Sequence, residues 1–233
     1  MTLYWYKEKP IVYTYRMTVV ASLIAENGIA FVSDGRVNDF NENIIEDRQV
    51  KLFELSPMTV LMPANGAADN MEFIMSALKG IFEHGKLVYL NDIATQFLLY
   101  CRVNVVTEPI DRVPLFTLGG YNLNNDGTYE AKIYLIQFNG IDWEAFESKG
   151  NDTFVAQGAS GDTIRKFLSE EYTVSKDKTL NARNILALKA IEIGEKNSPQ
   201  YVGGQTSLWN LNPTTGLRKF TNAEINKLRK AII

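Results

Sequence analysis

A single cysteine, Cys101, rules out any disulfide within this 233-residue chain, and a single histidine, His84, leaves little for chemistry that depends on imidazole. Cys101 ends the run Phe97-Leu98-Leu99-Tyr100-Cys101 and reads as a buried small hydrophobe rather than a nucleophile. His84, in Glu83-His84-Gly85, reads as an exposed helix C-terminus, where its partial charge suits the dipole. No spaced cluster of His and Cys ligands exists, so neither a metal nor another cofactor is expected. Charge of one sign is also missing. With 24 basic and 27 acidic side chains the net charge is −3, which gives no electrostatic draw toward nucleic acid or an anionic membrane. No apolar run approaches the roughly twenty residues of a membrane-spanning helix, and the N-terminus has no secretory hydrophobic region, so a cytoplasmic protein is expected. Linkers, repeats and low-complexity tracts are absent as well. The 45% apolar content is enough for one large core in a single domain spanning 18–233.

What is present begins at Met17-Thr18-Val19-Val20. If Met17 is removed, Thr18 offers a hydroxyl nucleophile together with its own α-amine as base. A chain-terminal amine ordinarily titrates at about 7.7–8.0, so near neutral pH it can accept the hydroxyl proton without a histidine. Asp34 follows sixteen residues later, at the end of the apolar run Ile29-Ala30-Phe31-Val32, with Arg36 two further on. Lys51 opens the next apolar run, Lys51-Leu52-Phe53-Glu54-Leu55. If these runs are neighbouring strands, Asp34 holds Lys51 beside the Thr18 amine, and the cation keeps that amine unprotonated. Taken one at a time these residues are ordinary: a strand threonine, an Asp-Gly turn, a surface arginine and a solvated lysine. Their joint order is the informative part.

Periodicity places short strands at 19–24, 29–33, 51–55 and 59–62, with turns at Asn27-Gly28 and Ser56-Pro57. Met71, Ile74, Met75, Leu78 and Ile81 give residues 69–82 the spacing of a one-faced helix, followed by a second at 91–105. A hairpin of strands 115–118 and 132–138 turns at Asp126-Gly127. Helices at 162–171 and 180–195, a strand at 205–210 and a basic helix at 222–230 complete the chain. Blocks of this kind suit two antiparallel sheets packed face to face with helices outside, an α+β domain.

Thr18-x15-Asp34-x-Arg36 followed by a Lys51-Leu52-Phe53 strand resembles the N-terminal part of a proteasome β-type subunit, an N-terminal-nucleophile (Ntn) hydrolase of the kind found as bacterial proteasome-like proteins. Asn65-Gly66-Ala67-Ala68-Asp69 resembles the family's helix-entry turn, and Leu118-Gly119-Gly120-Tyr121 with Ile133-Tyr134-Leu135-Ile136 its central hairpin. Gly158-Ala159-Ser160-Gly161, with Phe167-Leu168 and Tyr172, is similar to its Gly-Ser-Gly turn and the helix after it. Val202-Gly203-Gly204-Gln205-Thr206-Ser207-Leu208 is similar to its last glycine turn and strand. The likeness spans Thr18 to Leu208 in order. It implies a four-layer αββα sandwich with Thr18 as nucleophile, Lys51 and Asp34 tuning it, Arg36 and Ser160 in support, and a backbone N–H of Asn65 as oxyanion donor.

The chain also departs from the pattern. Ala159 stands where the family has its turn serine, with Ser160 one place late. The family's late aspartate and serine fall near Pro199 and Val202, leaving Asn197 and Ser198 as nearby polar substitutes, and Asn65 replaces a glycine. Residues 1–17 read as an extension that must be lost, either as a propeptide or because Met17 is the initiator. The resemblance implies a threonine-type endopeptidase or amidase acting on peptide or protein substrates, assembled as a homo-oligomer such as a ring. Two other functions fit the same residues: a non-catalytic subunit kept for assembly, and an Ntn transferase or ligase using the same acyl-enzyme.

Overall fold

In the computed structural model, residues 18–38, 43–64, 68–105, 113–148 and 154–230 are described, with 68–73, 83 and 173 by their backbone alone. The expected extension at 1–17 lies outside them. Strands β1 (Val19–Ala25) and β2 (Gly28–Ser33) form a hairpin whose two-residue turn is Glu26-Asn27, one place earlier than expected, because Gly28 already pairs with Ala25. A short ribbon of β3 (Val37–Asn38) and β4 (Ile44–Glu46) follows, then β5 (Phe53–Ser56) and β6 (Thr59–Ala64), turning at Pro57-Met58. Helices α1 (Ala68–Gly85) and α2 (Leu90–Asn104) lead into β7 (Leu115–Leu123), β8 (Tyr129–Phe138), β9 (Trp143–Glu147) and β10 (Phe154–Gly158). Helices α3 (Gly161–Val174) and α4 (Leu180–Asn197), strands β11 (Ser207–Asn212) and β12 (Gly216–Lys219), and helix α5 (Asn222–Lys230) complete the described elements.

Among the described residues two five-stranded sheets result, ordered β10-β1-β2-β11-β12 and β5-β6-β7-β8-β9, and every pairing in them is antiparallel. This mixture of antiparallel sheets and helices is an α+β fold. Strand periodicity of two explains how each sheet is covered on both faces. On β1, Val19, Ala21 and Leu23 pack with Ile164, Leu168, Leu188 and Ile191 of α3 and α4, while Val20 joins Ile29 and Phe31 in a cluster with Val60, Met62 and Tyr121 of the other sheet. On the second sheet the opposite face, Leu61, Phe116, Leu118 and Ile136, packs with Ile74, Leu78, Phe82, Leu90, Ile93 and Phe97 of α1 and α2.

Helix α1 buries most of the expected face, with Met75 packed against the same core, but its last turn departs from it. Ile74, Leu78 and Phe82 are buried, whereas Ile81 is 41% exposed. The hairpin strands are longer than expected, and their turn at Asn124 to Thr128 is closed by the Gly127 N–H donating to the Asn124 carbonyl at 3.0 Å. Strands β3, β4, β9, β10 and β12 were not legible in the sequence. Trp-Glu-Ala-Phe-Glu in β9 and Gly-Leu-Arg-Lys in β12 lie at sheet edges, where one ladder partner supplies the stability that composition does not.

The inter-sheet cluster depends on one void that only glycine leaves. A Cβ on Gly119 of β7 would stand 2.4 Å from Phe31 Cε1 on the facing sheet. Gly119→Ala is therefore expected to cost about 1–3 kcal/mol by overpacking. Phe31→Leu in the same chain should recover part of that loss, because it shortens the clashing side chain, and urea unfolding of the two single variants and the double variant measures the coupling.

Candidate active site

The β1–β2 hairpin fixes the first half of the site. Val20 pairs with Ser33, so continuing the register by one step sets Asp34 opposite Val19, beside Thr18. A separation of sixteen residues is thus the consequence of two strands joined by a two-residue turn. The Thr18 hydroxyl donates to Asp34 Oδ1, and the Val19 N–H donates to the same oxygen at 2.9 Å. Asp34 Oδ2 accepts from the Arg36 N–H at 3.2 Å and from the Gly203 N–H at 3.3 Å.

Lys51 arrives from the other sheet. It stands two residues before β5, and β2 and β5 are not neighbours, so the expected strand adjacency is replaced by a reach between sheets. Its ammonium donates to Thr18 Oγ1, to Asp34 Oδ1 at 3.0 Å and to the Arg36 carbonyl at 2.6 Å. Lys51 and Asp34 are 1% and 0% exposed as side chains. Burying two such charges is tolerable only when both are paired and their remaining hydrogen-bonding positions are filled, as they are here. Thr18 itself is 1% exposed. Its oxygen accepts from a cation and its hydrogen points at a carboxylate, which together fix the hydroxyl rotor; the cation favours negative charge developing on Oγ1, and the carboxylate opposes it.

The floor under Thr18 is made by β10. Gly158 has φ +99°, and a Cβ there would lie 1.4 Å from the Thr18 carbonyl oxygen. With glycine in place, the next N–H, that of Ala159, donates to this carbonyl at 3.0 Å.

The remaining expected site residues fall around this centre. The Arg36 side chain turns away from Thr18: Nε pairs with Asp47 Oδ1 at 2.8 Å and Nη1 donates to the carbonyls of Pro199 and, at 3.5 Å, Val202. It therefore ties the Asp34 loop to the segment before Gly203, and only its backbone touches Asp34 and Lys51. Ser160, in the left-handed conformation at φ 61°, shares a 2.6 Å hydrogen bond with Ser198 rather than one with Thr18. Asn65 lies outside the described residues. His84 is exposed in the last turn of α1, its Nδ1 2.7 Å from the Gly80 carbonyl, and Cys101 is fully buried, where burial pushes its thiol well above the ordinary range. Among the described residues no three His, Cys, Asp or Glu side chains are grouped to hold a metal, and no helix is long and apolar enough to cross a membrane.

Several participants were not legible in the sequence. Gly203 reads there as a turn residue, yet its N–H completes Asp34; Asp47 anchors Arg36, and its backbone carbonyl accepts the Gln205 N–H at 2.6 Å. Behind the site, Glu195 of α4 is half-buried, and burial pushes its carboxyl above the usual range while Arg229, 3.8 Å away, opposes the shift. No sequence pattern pointed to it. In comparisons with known proteins, no protein-family model matches the chain and no curated protein matches it.

Lys51→Met leaves Asp34 buried without its cation and should destabilise the chain by about 3–5 kcal/mol, and adding Asp34→Asn should cost less than the sum of the single losses; chemical denaturation reads both. For Glu195, a folded pKa raised above the unfolded value means the folded state holds the extra proton, so stability falls as pH rises from the unfolded through the folded pKa. Glu195→Gln should accordingly melt higher than the parent at neutral pH, with the difference closing as pH drops to the ordinary carboxylate range; a constant difference across pH would contradict it.

Proposed function

We propose that the chain is a threonine-type N-terminal-nucleophile hydrolase, an amidase or endopeptidase of the proteasome β type, with the four-layer αββα sandwich of that family. The observation that carries the reading is the Thr18 hydroxyl held between the Lys51 ammonium and the Asp34 carboxylate at the start of a buried strand. Support for the architecture comes from the three core clusters, one between the sheets and one under each helical pair.

The reaction requires a free α-amine, so the Met17–Thr18 bond must first be cut. The amine then takes the Oγ1 proton while Oγ1 attacks the substrate carbonyl carbon, and the oxyanion is received by a backbone N–H of Asn65 or Gly66. The protonated amine gives its proton to the departing nitrogen, leaving an ester on Thr18. Water, deprotonated by the same amine, attacks that ester and releases the acid, and Oγ1 regains a hydrogen. Lys51 serves twice: its charge disfavours the protonated amine, and it stabilises negative charge on Oγ1. Asp34 acts through Lys51 and through the Val19 N–H, holding both in place.

A second reading, a subunit retained for assembly without catalysis, is favoured by the Ser160–Ser198 hydrogen bond, which engages the serine nearest the family's turn position with another side chain. Either reading includes a homo-oligomer, for which the exposed Ile81 of α1 offers contact surface, and light scattering decides it.

A chain produced to begin at Thr18 should hydrolyse acyl-peptide reporters and be labelled covalently by an epoxyketone, and Thr18→Ala should abolish both. Lys51→Ala in that chain should lower turnover steeply, by roughly two or more orders of magnitude on the scale of a lost transition-state charge contact, and should move the pH profile upward as the amine pKa rises. Lys51→Arg should recover little, because its planar fork cannot reproduce the ammonium's position. Equal labelling of Thr18→Ala, or an unshifted profile in both lysine variants, would remove the catalytic reading and leave the assembly one.

A further inference from the structure

The turn that brings the Gly203 N–H to Asp34 is held from two sides. Toward the site, the Gly203 carbonyl accepts the Gly35 N–H at 3.0 Å and the Gln205 N–H donates to the Asp47 carbonyl at 2.6 Å, so backbone bonds tie residues 203–205 to the segments around Asp34. On the other side the hold is a side chain. Arg229 of α5 donates from Nη2 to Thr206 Oγ1 at 2.8 Å, and Thr206, itself buried, is the residue that joins this turn to β11.

Stability gives a weak account of this arginine. Its Nε is 3.8 Å from Glu192 and its Nη2 3.8 Å from Glu195, both of α4 and both beyond hydrogen-bond reach, and Nε has no hydrogen-bond partner among the described residues. Partly exposed ion pairs at such distances contribute little, whereas a charged N–H on a buried hydroxyl is the stronger contact. The helix is docked by other residues, since Ile225 is buried and Leu228 half-buried in the cluster with α3 and α4. What Arg229 adds to this docking is its hold on Thr206.

From Thr206 the site is three backbone residues away. Thr206 fixes the end of the turn where Ser207 enters its pairing with Ser33, and Gly203 at the other end donates to Asp34 Oδ2 at 3.3 Å. That is the longest of the hydrogen bonds Asp34 accepts, and so the one a small drift of the turn breaks first. We propose that Arg229 is a positioning residue for the Thr18 site, acting through Thr206 and Gly203 on Asp34. Its effect on turnover rests on the hydrolase reading above; its effect on Gly203 does not.

Amide hydrogen exchange on the full chain, followed by NMR, tests the link. Thr206→Val removes the acceptor while leaving every charge in place, and it should speed exchange at Gly203 about tenfold, the scale of a hydrogen bond to a charged group. Arg229→Met should do the same, the double variant should add nothing further, and Arg229→Lys, which keeps a donor, should recover part of the protection. Ile93→Val, a core change under the other sheet, lowers overall stability away from this path and should leave Gly203 within about twofold of the parent. In the chain beginning at Thr18, Thr206→Val should lower kcat about tenfold with KM within about twofold, because Asp34 acts on the reacting groups and not on substrate binding. Should Arg229→Met fail to fold, Thr206→Val and Arg229→Lys carry the comparison. Unchanged Gly203 exchange in Thr206→Val, or a change matched by Ile93→Val, would overturn the proposal, as would an unchanged kcat where the parent turns over. A parent without turnover would remove the hydrolase reading instead, and the exchange result then decides the link from Arg229 to Gly203 by itself.

Discussion

The Asp34 carboxylate is the constraint on which the rest of the site depends. It accepts from the Thr18 hydroxyl, the Val19, Arg36 and Gly203 N–H groups and the Lys51 ammonium, so one buried side chain joins the start of β1, the loop after β2, the segment before β5 and the turn before β11. A carboxylate at 0% exposure with these donors cannot move without leaving several of them unsatisfied. Rigidity at Thr18 is therefore a consequence of charge burial rather than of the threonine itself.

That burial is made possible by the two sheets. Each is apolar on both faces, one toward its helices and one toward the other sheet, and the inter-sheet cluster brings the segment before β5 close enough for Lys51 to reach across. The Phe31–Gly119 contact sets the local separation, since any side chain at 119 would push the sheets apart. Packing and electrostatics are thus coupled. A change in sheet spacing shifts Lys51 relative to Asp34, and at a contact of about 3 Å a displacement of about one ångström weakens the hydrogen bond severely.

Both ends of β1 carry a buried cation, with opposite solutions. Lys51 has its acceptors supplied by the protein, including Thr18, Asp34 and a carbonyl. Arg183 of α4 has the face of the Tyr172 ring but, among the described residues, no acceptor for Nε and Nη1, beside an open cleft.

Local pattern alone determined the central elements, because β1, β2, β6, both helices after them and the β7–β8 hairpin each carry a strong apolar period and a turn signal. It placed Thr18 and Asp34 on neighbouring apolar runs, but the register that sets them side by side follows from the turn at Glu26-Asn27, one place earlier than the sequence suggests. Lys51 was legible as a partner, but not its route, because a reach between sheets leaves no trace in spacing. Only tertiary structure decided that Arg36 faces Asp47 and the Pro199 carbonyl, that Ser160 pairs with Ser198, and that Gly203 completes Asp34. It also decided the edge strands and the contact of Arg229 with Thr206. These depend on contacts between segments up to 169 residues apart, as with Asp34 and Gly203, and no periodicity of two or 3.6 residues encodes which distant backbone group comes to rest beside a given charge.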